Sequence, residues 1–121
     1  MSERILVVDT EETLRSRCQN ELRHEGYQVV TAENGQEALR KLQKEQIDLV
    51  VLELDLPDGP GVDCLQELVR TKRDVKVVIN TGSPSYQLDF NCWAADAFLL
   101  KSRDLGALKQ TVNRLLHAGR N

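Results

Sequence analysis

Aromatic side chains are scarce in this chain: five among 121 residues, 4% of the total. Four of the five, Tyr86, Phe90, Trp93 and Phe98, fall within residues 86–98, so the remainder of any core must be aliphatic. Cysteine is nearly as rare. Cys18, Cys64 and Cys92 form an odd, widely spaced set that fits neither a disulfide framework nor a zinc pattern, and they read as reduced small hydrophobes. No apolar run approaches the ~18 residues that a membrane span needs. The start, Met1 to Val8, has no charged-then-apolar leader, so the expected compartment is the cytoplasm. A basic excess is missing too. Sixteen Lys and Arg stand against 19 Asp and Glu, a net charge of −3. The basic spots Arg70–Arg73 and Arg114, His117 and Arg120 read as solvated helix ends, which argues against a direct nucleic-acid partner. No Ser/Gly/Pro-rich linker interrupts the chain, and residues 1–121 are expected to form one domain.

What the chain does have is a series of short apolar runs. Ile5–Val8, Tyr27–Val30, Leu49–Leu52, Val75–Ile79 and Ala97–Leu100 recur every 20 to 27 residues. Continuous β-branched runs of this length suit strands buried on both faces of a parallel sheet, and the more mixed Tyr27–Val30 suits a strand nearer an edge. The segments between them read as helices. Leu14, Cys18 and Leu22 form a helical stripe stopped at Gly26; Asn34–Glu37 resembles a capping box; Gly61 or Val62 opens a helix carrying Leu65 and Leu68. Asp104 is expected to begin the last helix, and Ser83 to Trp93 to form a fourth helix of at most two or three turns. Five strands alternating with five helices predict a doubly wound α/β domain with a five-stranded parallel sheet.

In such a fold, functional groups collect beyond the carboxyl ends of the strands. There the chain places Asp9, Thr10, Glu11 and Glu12 after the first run and Glu53 and Asp55 after the third. Thr81 follows the fourth run and Lys101 the fifth. Each has a plainer reading. Glu11 and Glu12 suit the first turn of a helix, Thr10 an N-cap, and Lys101 the surface. Four chain-distant segments converging on one edge favour a pocket.

These residues carry a resemblance. Ile5–Asp9, Asp48–Pro57 with Gly61 beyond it, Thr81–Gly82 and Ala95–Lys101 together resemble a response-regulator receiver domain of two-component signalling. The match spans essentially the whole chain and implies a flavodoxin-like three-layer sandwich, with no output domain present. It also implies a role for each position: Glu53 at the phosphoacceptor position, Asp9 and Thr10 (with Glu11 beside them) at the acid pair, and Thr81, Phe98 and Lys101 at the switch and phosphoryl-contact positions. A Mg²⁺ ion would be held by Asp9, Glu53 and the backbone carbonyl of Asp55. The implied partners are a sensor histidine kinase or phosphotransfer protein, and a downstream protein effector reached through the fourth helix, fifth strand and fifth helix. The implied protein is a signalling module and not an autonomous enzyme.

The departures from that family matter as much. Glu53 stands where the family carries aspartate, Thr10 where it carries aspartate or glutamate, and Ser102 where proline is common. Thr10 removes a charged ligand, so Mg²⁺ affinity should drop. Glu53 is one methylene longer than aspartate, and a misplacement of about 1 Å can cost ~100-fold in a positioned transfer. The longer side chain should carry its carboxylate into the phosphoryl space, pairing with Lys101 and accepting a hydrogen bond from Thr81. The resulting expectation is a protein-interaction switch whose phosphorylation is impaired or mimicked. One alternative is an otherwise conventional phosphoaccepting receiver altered at Glu53. Another, from a different class, is a flavin-binding flavodoxin-like protein. The acidic Asp9–Glu12 loop speaks against that one, because it would repel a phosphate. Asp55 as a substitute acceptor is disfavoured, its side chain being expected to face solvent.

Overall fold

The computed structural model describes residues 3–89 and 92–117. The five apolar runs form five strands: β1 (Arg4–Val8), β2 (Gln28–Ala32), β3 (Leu49–Leu52), β4 (Lys76–Thr81) and β5 (Ala97–Leu100). All pair in parallel, in the order β2-β1-β3-β4-β5. The mixed run is therefore an edge strand, and β3, buried at all four residues, lies at the centre. Strand order reverses between β1 and β3, which opens a crevice at their carboxyl ends.

Among the described residues, four α-helices cover the sheet: α1 (Glu12–His24), α2 (Gly35–Lys44), α3 (Gly61–Thr71) and α4 (Gly106–His117). Alternation along the strands divides the core in two. Leu6, Val8, Val50, Leu52, Val77 and Ile79 face α2 and α3, meeting Ala38, Leu42, Cys64, Leu65 and Leu68. Ile5, Val7, Leu49, Val51 and Val78 face α1 and α4, meeting Cys18, Leu22, Leu108 and Val112. The result is a three-layer α/β sandwich whose core is mainly aliphatic, with Tyr27 the buried aromatic among the described residues. All three cysteines are free and buried within it, and burial pushes the Cys18 and Cys64 thiols up to about 11.

Helix ends are built from local chemistry. Gly26 follows α1 at φ +99°, with its N–H on the Arg23 carbonyl and that of Tyr27 on the Leu22 carbonyl, a Schellman closure that glycine makes without strain. Asn34 Oδ1 accepts from the Glu37 N–H at 2.8 Å, while Asp58 reaches across 23 residues to accept from the Gly35 and Gln36 N–H groups. The start of α2 is thus capped twice. Gly61 allows a close approach, since a Cβ there would lie 2.5 Å from Leu54 Cα.

Two expectations are corrected. The fourth helix is not an α-helix: among the described residues, the connection from β4 to β5 contains a 3₁₀ segment, Pro84–Leu88. Pro84, Ser85, Gln87 and an 87%-exposed Leu88 supply no apolar stripe, and a helix this short with no face to bury has little to stabilise it. The last helix begins at Gly106; Asp104 precedes it, and its Oδ1 accepts from the Gly106 N–H at 2.8 Å.

Candidate functional site

The site lies at the reversal of strand order, where β1 ends at Val8, β3 at Leu52 and β5 at Leu100. Parallel register sets Asp9 beside Glu53, and the Lys101 side chain reaches both from the end of β5, across the end of β4. Their backbones continue the sheet: Asp9 N–H bonds the Ala32 carbonyl, Glu53 N–H that of Val8, and Lys101 N–H that of Thr81.

Lys101 is the hub. Its Nζ lies 2.6 Å from Glu53 Oε1, 3.2 Å from Asp9 Oδ2 and 3.4 Å from Glu11 Oε1. The Asp9 and Glu53 side chains are each 5% exposed, so the cluster is a buried one with Glu11 at its rim. The second Glu53 oxygen, Oε2, turns back to accept from the Leu54 N–H at 2.7 Å and the Asp55 N–H at 3.0 Å. Asp9 Oδ1 accepts from the Glu11 N–H at 2.9 Å. Burial raises the proton affinity of Asp9, against the Glu11 N–H and the Lys101 charge, which favour its ionised form. Burial also works against charge on Lys101, but the Glu53 hydrogen bond and the Asp9 charge outweigh it, and its net shift is upward. A cation between two buried carboxylates is the arrangement in which losing one partner costs most.

The surrounding loops tighten this cluster. Arg15, near the start of α1, donates from Nη1 to the Asp9 carbonyl at 2.8 Å and holds the β1–α1 loop. Asp55 points away from the cluster. Its Oδ2 accepts from Ser83 Oγ and its Oδ1 from the Tyr86 hydroxyl, both at 2.8 Å. That hydrogen bond pushes the Tyr86 phenol up to about 12.

Of the residues singled out from the sequence, Asp9, Glu11, Glu53 and Lys101 come together. Thr81, fully buried at the end of β4, lies on the same edge, but its expected bond to Glu53 is replaced. Thr81 Oγ1 accepts from the Ser83 N–H at 3.3 Å, and Glu53 takes Lys101 and two amides of its own loop. Asp55 is exposed, as expected, yet it is engaged by Ser83 and Tyr86 rather than left to solvent. Thr10 is exposed and caps nothing; the N-cap of α1 is Glu11, without a side-chain bond. Phe98 is half-buried three residues before Lys101, against the α2/α3 side of the core. Of the remaining aromatics, Trp93 is 71% exposed and does not anchor the segment, and Phe90 lies outside the described residues. Arg15, Ser83 and Tyr86 were not foreseen. Their contacts depend on loop paths, and no local sequence signal marks them.

The oxygens that a divalent cation would use are engaged within the protein. Mg²⁺ asks for several free oxygens in near-octahedral order. Asp9 and Glu53 have turned their oxygens to Lys101 and to backbone N–H groups, Thr10 offers no carboxylate, and the Asp55 side chain faces Ser83. Among the described residues, no three His, Cys, Asp or Glu side chains converge as a metal site. No helix there is long and apolar enough to cross a membrane.

The chain is similar to known proteins of the same architecture. The PhoP regulator of alkaline phosphatase synthesis from Bacillus subtilis is 42% identical over 82 residues, 68% of this chain and 34% of PhoP. This chain therefore spans about a third of that relative's length. Sporulation initiation phosphotransferase F, also from B. subtilis, is 32% identical over 108 residues, 89% of this chain and 79% of its own. Among solved structures, the response regulator TrrA of Thermotoga maritima, in complex with Mg²⁺–BeF, superposes with a TM-score of 0.90 at 40% identity. It covers 93% of this chain and 98% of its own. TrrA bound to the histidine kinase ThkA superposes at 0.88, also at 40% identity, with 94% and 98% covered. The family model of the response regulator receiver domain matches residues 5–113, and this chain belongs to that family.

Proposed function

We propose that the chain is a receiver module of two-component phosphorelay signalling that works as a protein-interaction switch, held partly in its active-like state by Glu53 without phosphorylation. The observation that carries this reading is the 2.6 Å contact between Glu53 Oε1 and Lys101 Nζ. In a receiver the lysine meets the phosphoryl group on the acceptor side chain. Here the acceptor position brings its own anion to the lysine, and the second oxygen fills two backbone donors. Two charges ~4 Å apart attract by roughly 4 kcal/mol at an effective dielectric of ~20, much of which desolvation offsets. The remainder is a modest bias between conformers, the scale on which a population switch operates.

Upstream, the fitting partner is a sensor histidine kinase or a phosphotransfer protein. Downstream, it is a protein effector meeting the 3₁₀ segment, β5 and α4. Magnesium binding at Asp9, Glu53 and the Asp55 carbonyl is expected to be weak, since it must first displace Lys101 from both carboxylates. A conventional acceptor altered only at Glu53 is disfavoured by Thr10, which degrades the acid pair as well. A flavin phosphate is disfavoured by the acidic β1–α1 loop.

The test has two arms. Wild type and Glu53→Asp are incubated with a small-molecule phosphodonor and Mg²⁺ and weighed intact. Wild type is expected to gain no phosphoryl mass, and stoichiometric labelling of it would overturn the reading. Glu53→Gln, which keeps the shape and removes the charge, is expected to weaken effector binding. Unchanged affinity would sink the proposal.

A further inference from the structure

Asp55 has a use that the cluster around Lys101 does not require. Its two carboxylate oxygens are divided between Ser83 Oγ and the Tyr86 hydroxyl, each at 2.8 Å, across 28 and 31 residues of sequence. Both donors lie on the connection that replaces the fourth helix. Among the described residues, its 3₁₀ turn is closed by the Tyr86 N–H on the Ser83 carbonyl at 3.4 Å and the Asp89 N–H on the Tyr86 carbonyl at 3.1 Å. Behind it lies a largely apolar cavity of about 320 Å³, lined by Tyr86, Gln87, Cys92, Trp93, Ala97 and Phe98. At its other end Asp55 is bound to the pocket, its own N–H donating to Glu53 Oε2 at 3.0 Å. One residue therefore touches the pocket carboxylate with its backbone and the 3₁₀ segment with its side chain.

We propose that the Asp55 carboxylate is a latch that fastens the 3₁₀ segment to the pocket and passes the state of Glu53 to the wall of this cavity. The line from Glu53 through Asp55 to Ser83 and Tyr86 uses hydrogen bonds between groups in contact. The Tyr86 phenol, held protonated to about pH 12, remains a donor at every physiological pH. A charged acceptor makes each bond stronger than a neutral pair. The segment it restrains is a short 3₁₀ turn with no buried residue, the kind that opens locally at low free-energy cost. The inference rests on Glu53 as the pocket's resident anion, but it makes a claim about Asp55 that can fail separately.

The experiment is amide hydrogen exchange at Asp89 and Cys92, with Trp93 emission as a second readout, in Tyr86→Phe, Asp55→Ala, Glu53→Ala and their pairwise combinations. Trp93 is the chain's single tryptophan, and its Nε1 faces the Gln87 carbonyl of the same segment at 3.4 Å. Tyr86→Phe is expected to accelerate exchange at these amides about tenfold, as loss of a hydrogen bond to a charged acceptor implies, while exchange in α1 to α4 stays at wild-type rates. Asp55→Ala should accelerate it at least as much and abolish the further effect of Tyr86→Phe, because both variants remove the same bond. Glu53→Ala should accelerate it in wild type and not in the Asp55→Ala background. Exchange within twofold of wild type in Tyr86→Phe, or additive effects of Tyr86→Phe and Asp55→Ala, overturns the latch. Acceleration by Glu53→Ala that persists in the Asp55→Ala background overturns the coupling to the pocket. Failure of the resident-anion reading would show instead as unaltered effector affinity in Glu53→Gln, a different measurement.

Discussion

Two connections on the same side of the sheet handle one problem in opposite ways. From β3 the chain turns through Leu54–Pro60 into α3, a helix of 11 residues with Cys64, Leu65 and Leu68 buried. Gly61 packs so closely on Leu54 that the backbones nearly touch. From β4 the chain passes into the 3₁₀ turn Pro84–Leu88, in which no residue is buried, and Leu88 and Trp93 are largely exposed. The sheet is the same beneath both, with β4 paired to β5 in register. Strand pairing therefore does not require a helical crossover at this position. The first connection serves the core; the second is free to serve the surface, held through side-chain hydrogen bonds to Asp55.

The sharpest test of this contrast is the hub on which both connections converge. Lys101→Met leaves Asp9 and Glu53, each 5% exposed, facing each other without a cation. Urea unfolding at pH 7 is expected to show a loss of about 3–5 kcal/mol. Burial already raises the proton affinity of Asp9 above its unfolded value, and without the lysine the charge that opposes this rise is lost. The penalty at Asp9 is absent below its unfolded value, grows as pH rises, and is full above the folded one, so the variant should regain part of its stability on going from pH 7 to 5. In the wild type, Lys101 is shifted upward. Its contribution is full below the ordinary lysine range and lost only as pH climbs through the folded value, so it should stay constant from pH 6 to 9.

Next in size is Leu65→Ala in α3, where a fully buried side chain gives way to a cavity. About 2–5 kcal/mol should be lost on denaturant unfolding, whereas Leu88→Ala, 87% exposed in the 3₁₀ segment, should stay within ~0.5 kcal/mol. A pair of glycines sharpens the comparison further. Gly61→Ala drives a methyl into the Leu54 backbone and should cost about 1–3 kcal/mol, the range of overpacking. Gly82→Ala has open space around its Cβ and no left-handed φ, so thermal unfolding should show no loss and a gain of up to ~1 kcal/mol. If Gly82→Ala destabilised as much as Gly61→Ala, the distinction between a packed and a loose connection would collapse. Smallest is Asn34→Ala, which removes one cap from α2 while Asp58 retains the other. The melting shift should correspond to less than the ~1 kcal/mol of an unsupported N-cap.

The parts of this fold that were legible in the sequence are those whose signal is local. Ile5–Val8, Leu49–Leu52 and Ala97–Leu100 read as strands because period and branching need no partner to be seen. Gly26 stopped α1, and Asn34 capped α2, through bonds to residues within four positions. The convergence of Asp9, Glu53 and Lys101 was also legible, because parallel strands deliver the residue after each run to one edge. The less readable parts depend on where loops lie. Asp58 caps a helix 23 residues away, Asp55 holds Ser83 and Tyr86, and Arg15 grips the Asp9 carbonyl. The Thr81 hydroxyl was expected on Glu53 and is on the Ser83 N–H, a choice made by a turn of the loop rather than by residue type.

By itself, the sequence determined the strand order's ingredients, the aliphatic core and the identity of the groups at the carboxyl edge, because side-chain period and composition are properties of short segments. Only the tertiary structure decided what those groups do to one another. Whether Glu53 reaches Lys101 or Thr81, whether Asp55 faces solvent or a neighbouring loop, and whether Pro84–Leu88 forms an α-helix or a 3₁₀ turn all turn on distances of a few ångströms between segments far apart in the chain. Those distances are set by how the layers pack.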